Sequence, residues 1–110
     1  MTQRSWSVLG VPSSAAAHGP GLEKAPAALR AAGLVDALRA RGLVVTDQGD
    51  VEPARWRAHH VPGRLNDVER VAAGAGRVRE AVRDGLRGGH VPLVRGGECT
   101  VTLGVVAAAV

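Results

Sequence analysis

Residues 90–101 read His90-Val91-Pro92-Leu93-Val94-Arg95-Gly96-Gly97-Glu98-Cys99-Thr100-Val101, and this stretch decides the fold. An apolar run of strand length, His90 to Arg95, stops at two glycines, crosses a short polar segment and enters the apolar segment Val101 to Val110, read as a helix. A strand passing through a tight turn into a helix is the unit from which parallel sheets with crossover helices are built. Pro92 has no amide hydrogen to give to a ladder, which counts against a central place for this strand.

The same unit recurs twice upstream. Ser5 to Val11 is a short apolar run closed by Pro12, Ser13 and Ser14 and reads as a buried strand. After a loop from Ala15 to Lys24, Pro26 suits a first helical turn, and Ala27, Ala31, Leu34 and Leu38 fall on one stripe up to Gly42. Gly33 lies inside this expected helix, where close packing against a neighbour would account for it. Leu43 to Val45 reads as a second strand, ended by Asp47, Gly49 and Asp50, with turn formation the default role of the two aspartates. Val51 to Leu65 lacks periodicity, contains Pro53 and Pro62, and carries His59-His60, which reads as surface. Asn66 and Glu69 resemble a capping box, and Val68, Val71, Ala75, Val78, Val82 and Leu86 keep helical spacing up to Gly88-Gly89. The alternation predicts an α/β fold whose functional residues collect at the carboxyl ends of the strands, in Pro12 to Gly21, Asp47 to Asp50 and Gly96 to Thr100.

Composition narrows the function classes. At 110 residues the chain holds one domain at most, and 45% apolar with 22% charged residues is a globular balance. The apolar share consists of small side chains, with 19 Ala, 17 Val and 10 Leu but no Ile, Phe or Tyr, so the core is thin and suggests a unit completed by further residues. Val101 to Val110 likewise reads as a helix cut in mid-course. Thirteen Arg and one Lys against ten carboxylates give a net charge of +4. The arginines are dispersed and only Trp6 and Trp56 are aromatic, which argues against a nucleic-acid partner. One cysteine makes no disulfide framework, and no signal segment or apolar run of roughly 18 residues is present, so a cytoplasmic setting without a membrane partner is expected.

The polar segment after the third strand offers an acid, a thiol and a hydroxyl at a helix N-terminus, where partial positive charge favours a thiolate. Gly96-Gly97-Glu98-Cys99-Thr100 resembles the Gly-Gly-Asp-His-Ser turn of the ureohydrolases, the family of arginases, agmatinases and formimidoylglutamases. Glu98 stands for the Asp, Thr100 for the Ser, and Cys99 for a metal-binding His. Val8 to Ser14 is similar to the family's first strand and loop, Gly19 to Leu34 to its Gly-rich turn and helix, and Asp47-Gln48-Gly49-Asp50 to its second strand end. These pieces arrive in the family's order across nearly all of the chain.

The resemblance implies a three-layer α/β fold with a parallel sheet and crossover helices, present here as an N-terminal βαβαβα portion over residues 1–110. It implies hydrolysis of a linear guanidine or amidine, with release of urea or formamide, by a hydroxide bridging two Mn ions. The family's later metal-binding motifs do not occur before Val110, so these residues alone are expected to be inactive and to supply no catalytic residue. Cys99 is the one candidate metal ligand, and because its thiolate suits Zn better than Mn, one ion instead of two, or a softer metal, are the readings for the centre; the alternative is a small buried packing residue. Glu98 is either a carboxylate orienting the metal centre or a charge favouring the helix dipole. Thr100 reads as an N-cap or substrate contact, and His18 as a solvated loop residue or a substrate contact. Three further readings are a cysteine nucleophile at Cys99, on an elbow crowded by Val101, a degenerate non-catalytic relative, and an assembly module that pairs with a separate chain; a homo-oligomer is a further expected partner.

Overall fold

Strand β1 (Ser5–Val11) forms the centre of a parallel sheet of order β2-β1-β3 in the computed structural model, which describes residues 4–58 and 67–110. Strand β2 spans Val44–Asp50 and β3 spans Val91–Gly96, so Pro92 lies in an edge strand of the described sheet. Between them run helices α1 (Ala25–Ala31), α2 (Leu34–Ala40), α3 (Val68–Arg87) and α4 (Val101–Ala109). His59, His60 and Asn66 fall outside the described residues.

Every residue of β1 from Ser7 to Val11 is buried, as a parallel strand covered on both faces requires. Leu9 and Val11 point to one side and pack with Val78 and Val82 of α3 and Ala108 of α4. On the other side Gly10 lies under Pro26 of α1: a Cβ at Gly10 would come within 3.0 Å of the proline ring. Helices thus cover both faces, giving three layers. Complete burial of Val78 and Val82 is worth about 1.5–3 kcal/mol each. The α3–α4 contact is made by small residues, since a Cβ on Gly104 would sit 2.6 Å from the Ala75 carbonyl oxygen.

Local expectations are corrected in two elements. The single helix expected from Pro26 to Gly42 is two helices, because Gly33 adopts φ +90, a left-handed conformation that ends α1 and starts α2. No atom lies within 4 Å of a Cβ built there, so conformation and not close packing accounts for this glycine. Ala27 and Ala31 are consequently exposed, and Pro26 is the buried residue of α1.

The second strand is not confined to Leu43–Val45 but runs Val44–Asp50, through the residues expected to end it. Its register with β1 shifts between Val8, which pairs with Asp47, and Leu9, which pairs with Gly49, leaving Gln48 as the extra residue of a bulge. Gly49 takes φ +78 at this point. Gln48 turns to the opposite helical layer, where its amide donates to the Ala81 carbonyl at 3.0 Å.

The helix α3 begins after Asp67, which has φ 52 and makes no side-chain cap bond. Its carboxylate instead pairs with Arg70 at 2.7 Å. Val78, Val82 and Gly85 carry the buried face, while Val68 and Leu86 at its ends are exposed.

Candidate functional site

The carboxyl ends of β1 and β3 are neighbours in the sheet, with Val11 opposite Gly96, and this adjacency builds the site. The loop after β1 lies directly against the turn after β3. A Cβ on Gly97 would be 1.9 Å from the Ser13 carbonyl oxygen and 2.8 Å from that of Leu22, so only glycine admits this approach. The loop is itself anchored: the Ser14 amide donates to the Ala54 carbonyl at 2.8 Å, and the Ala54 amide to that of Pro12 at 3.0 Å. The buried Ser14 hydroxyl accepts from the Trp56 amide at 2.8 Å. Glu23 closes the loop by accepting from the Gly21 amide at 2.8 Å, and hydrogen bonds from the Ser14 hydroxyl and nearby amides hold its carboxyl below the usual value.

Glu98 is the centre of the turn. One carboxylate oxygen accepts from the Ser13 hydroxyl at 3.0 Å and from Thr100 Oγ1 at 2.5 Å, and the other accepts from the Thr100 amide at 3.0 Å. The carboxylate therefore ties the β1 loop to Thr100 at the start of α4. Thr100 occupies the N-cap position, but its hydroxyl makes no cap bond and donates back to Glu98. The amides of Val101, Thr102 and Leu103 in the first turn of α4 donate to the backbone carbonyls of Glu98, Cys99 and Thr100.

Cys99 is exposed and free, so it is not the buried packing residue that its small apolar character allowed. It borders an open depression between β3 and α4 lined by Val94, Gly97, Val101, Thr102 and Val105. His18 is exposed in the β1 loop and borders neither this depression nor the smaller cavity by Ser13, Arg77 and Glu98. The structure thus joins Glu98 to Thr100, sets Cys99 beside them and leaves His18 apart. Among the described residues no group of three or more His, Cys, Asp or Glu side chains converges as a metal-binding set. With Glu98 committed to three donors and Cys99 the one remaining donor of the turn, the residues present do not fit a two-metal centre.

Ser13 was not singled out by the sequence, although its place at the carboxyl end of a strand was the available signal. A second polar group was also missed. Asp47 keeps a turn role, accepting from the Gly49 amide at 2.9 Å, but both aspartates also meet α1: Arg30 donates through Nη2 and Nε to Asp47 at 2.9 and 3.2 Å, and through Nη1 to Asp50. Residues three apart on a regular strand face opposite ways, and the bulge at Gln48 is what turns both carboxylates to α1. The Arg30 bonds hold the Asp47 carboxyl below its usual value and raise the guanidinium in turn.

Over residues 4–110 the sequence matches the arginase family. It is 30% identical over 106 residues to the arginase of Brevibacillus brevis, covering 94% of this chain and 35% of that protein. It is 30% identical over 105 residues to the hepatic arginase of Aquarana catesbeiana, covering 96% and 32%. The crystal structure of arginase from Bacillus subtilis superposes with a TM-score of 0.79 at 27% identity, over 96% of this chain and 33% of that one. The match falls on the N-terminal part of the arginase fold. The chain spans about a third of the length of the curated relatives it matches.

Proposed function

The chain belongs to the arginase family, and from that premise we propose that residues 1–110 are the N-terminal portion of a ureohydrolase whose whole form hydrolyses a C–N bond of a linear guanidine or amidine. The observation that carries this reading is the match over residues 4–110 combined with the position of the Gly96–Thr100 turn, at the carboxyl edge of a parallel sheet beside the β1 loop. That edge is where ligands bind in open α/β sheets. In this reading Ser13, Glu98 and Thr100 hold the floor of the site, and Cys99 faces the depression where the family places its first metal-binding histidine. The family suggests Mn, but the donors in these residues do not provide for it, and no catalytic step is assigned to them. His18 is a substrate contact only if the rest of the site extends to the outer face of the β1 loop.

The substitution of a thiol at the histidine position, together with the commitment of Glu98 to Ser13 and Thr100, supports a second reading: a non-catalytic relative or a partner-dependent module. Among the described residues no helix is long and apolar enough to cross a membrane, and a cytoplasmic setting belongs to the proposal. Intact mass of the native protein, with sequencing of the reading frame past codon 110, separates the two. The first reading expects a mass several-fold above the 11.3 kDa of these residues and metal-dependent release of urea or formamide from arginine, agmatine or formimidoylglutamate. A native mass near 11.3 kDa, with no product released, overturns it in favour of the second.

A further inference from the structure

Arg95, in β3 immediately before the Gly96-Gly97 turn, is 6% exposed, and none of its three guanidinium nitrogens has a hydrogen-bond partner among the described residues. A buried guanidinium without acceptors is strongly unfavourable, because burial removes water from a group that carries five donors and a full charge. Any motion that returns water to it recovers that loss.

The register shows which element keeps the water out. Gly10 of β1 pairs with Arg95, so the two residues share one face of the sheet, and on that face Gly10 lies against Pro26 of α1. Helix α1 also packs against β3. Burial, followed by the nearby Arg30 charge, pulls Arg95 below its ordinary value, against opposing pulls from Asp47 and Asp50. Arg95 therefore lies under α1, within the field of the Arg30 cluster but not bonded to it.

This cover is weakly held. Among the residues of α1 and α2, Pro26 alone is buried. The polar attachments of the two helices to the sheet are Arg30 to Asp47 and Asp50 and, from α2, Arg39 to the Val45 carbonyl. The Arg30 pairs are themselves partly open to water, with side-chain exposures of 25% for the arginine and 32% for each aspartate, and such pairs add little. Segments with few buried apolar contacts open at a lower free energy than the core, which here includes α3 with Val78 and Val82.

We propose that α1 and α2 form a cover that opens from the sheet as a unit without global unfolding, latched by Arg30 on Asp47 and Asp50 and driven open by the buried, unpaired Arg95 beneath it. Opening hydrates Arg95 beside the Gly96-Gly97 turn and releases the two carboxylates from Arg30. The two arginines thus act in opposite directions, Arg30 to close the cover and Arg95 to open it. The device does not depend on whether the whole protein is a hydrolase.

Native-state hydrogen exchange of the chain, followed by NMR and corrected for intrinsic rates, tests it. In the parent the α1 amides should exchange about tenfold or more faster than the α3 amides around Val78 and Val82. Arg95→Met should slow α1 exchange by about tenfold or more, and Arg30→Met should speed it by about threefold or more. An α1 rate equal to that of α3, or one that Arg95→Met leaves unchanged or raises, overturns the proposal. Where Arg95→Met does not fold, the parent with labelled arginine decides. The Arg95 Nε–H should then exchange through the same opening as α1, with opening constants that agree within about threefold; protection of that group matching α3 overturns the proposal.

Discussion

Replacing Gly97 by alanine tests the packing of the site more directly than any change to its polar groups. The added Cβ would meet the Ser13 carbonyl oxygen at 1.9 Å and the Leu22 carbonyl oxygen at 2.8 Å, where ordinary contact begins at 3.4 Å. Both neighbours are backbone, so no rotamer change relieves the overlap. Either the β1 loop must withdraw, breaking the Ser13–Glu98 bond and loosening the Ser14–Ala54 pairing, or the turn must open. Overpacking costs about 1–3 kcal/mol in general, and two fixed carbonyls place this case near the upper end, at about 3 kcal/mol, or roughly 150-fold in the folding equilibrium constant. Gly76→Ala is the control. It lies in α3 with no atom within 4 Å of an added Cβ, and the gain in helix propensity should stabilise the chain by up to about 1 kcal/mol. Urea unfolding followed by circular dichroism at the helix band, with midpoints compared at unchanged slope, measures both. A Gly97→Ala midpoint equal to or above that of the parent would refute the close approach of loop and turn.

Glu98→Ala should destabilise the chain by about 1–3 kcal/mol in the same assay, because the Ser13 hydroxyl and Thr100 amide lose their acceptor; Glu98→Gln, which keeps one carbonyl oxygen, should lose less. Acid should weaken the fold through Asp47. Its carboxyl is held low by Arg30, so the folded chain takes up this proton less readily than the unfolded one, and the stabilisation is complete above the unfolded value of about 4 and lost as pH falls through the folded value. Unfolding midpoints measured from pH 6 to pH 2 should show this loss, and Asp47→Asn should remove that part of it. On α4, Val106→Glu should change stability by less than about 0.5 kcal/mol, because the side chain is exposed. Gly104→Ala should cost about 2 kcal/mol or more, since its Cβ would lie 2.6 Å from both the Ala75 carbonyl oxygen and Val78 Cβ. Iodoacetamide should alkylate Cys99 in the folded chain about as fast as in urea, as mass spectrometry of timed samples would show; strong protection would contradict its exposure.

Period and punctuation made the α/β class legible from sequence. Strands β1 and β3 and helix α3 were marked by apolar runs or helical spacing bounded by glycine and proline, and these signals act over a few residues, within the reach of local propensity. The order of motifs, from Val8-Leu9-Gly10-Val11 to Gly96-Gly97-Glu98-Cys99-Thr100, likewise carried the arginase-family resemblance that the match over residues 4–110 bears out.

What sequence could not give were the facts that depend on which residues become neighbours across the sheet. Gly33 looked like a tolerated helix interior until its positive φ divided the helix. Asp47 and Asp50 read as turn residues, and Asp47 does bond the Gly49 amide, but only the bulge at Gln48 puts both on the face beneath Arg30. Glu98 reads two ways from sequence, and Ser13, 85 positions away, supplies one of its three hydrogen-bond donors only in the folded chain. Local sequence determined where the chain turns and which segments are apolar, because those depend on the conformational preferences of a few adjacent residues. Only the tertiary structure decided which charged and polar groups meet, because register and bulges set that pairing between segments far apart in the chain.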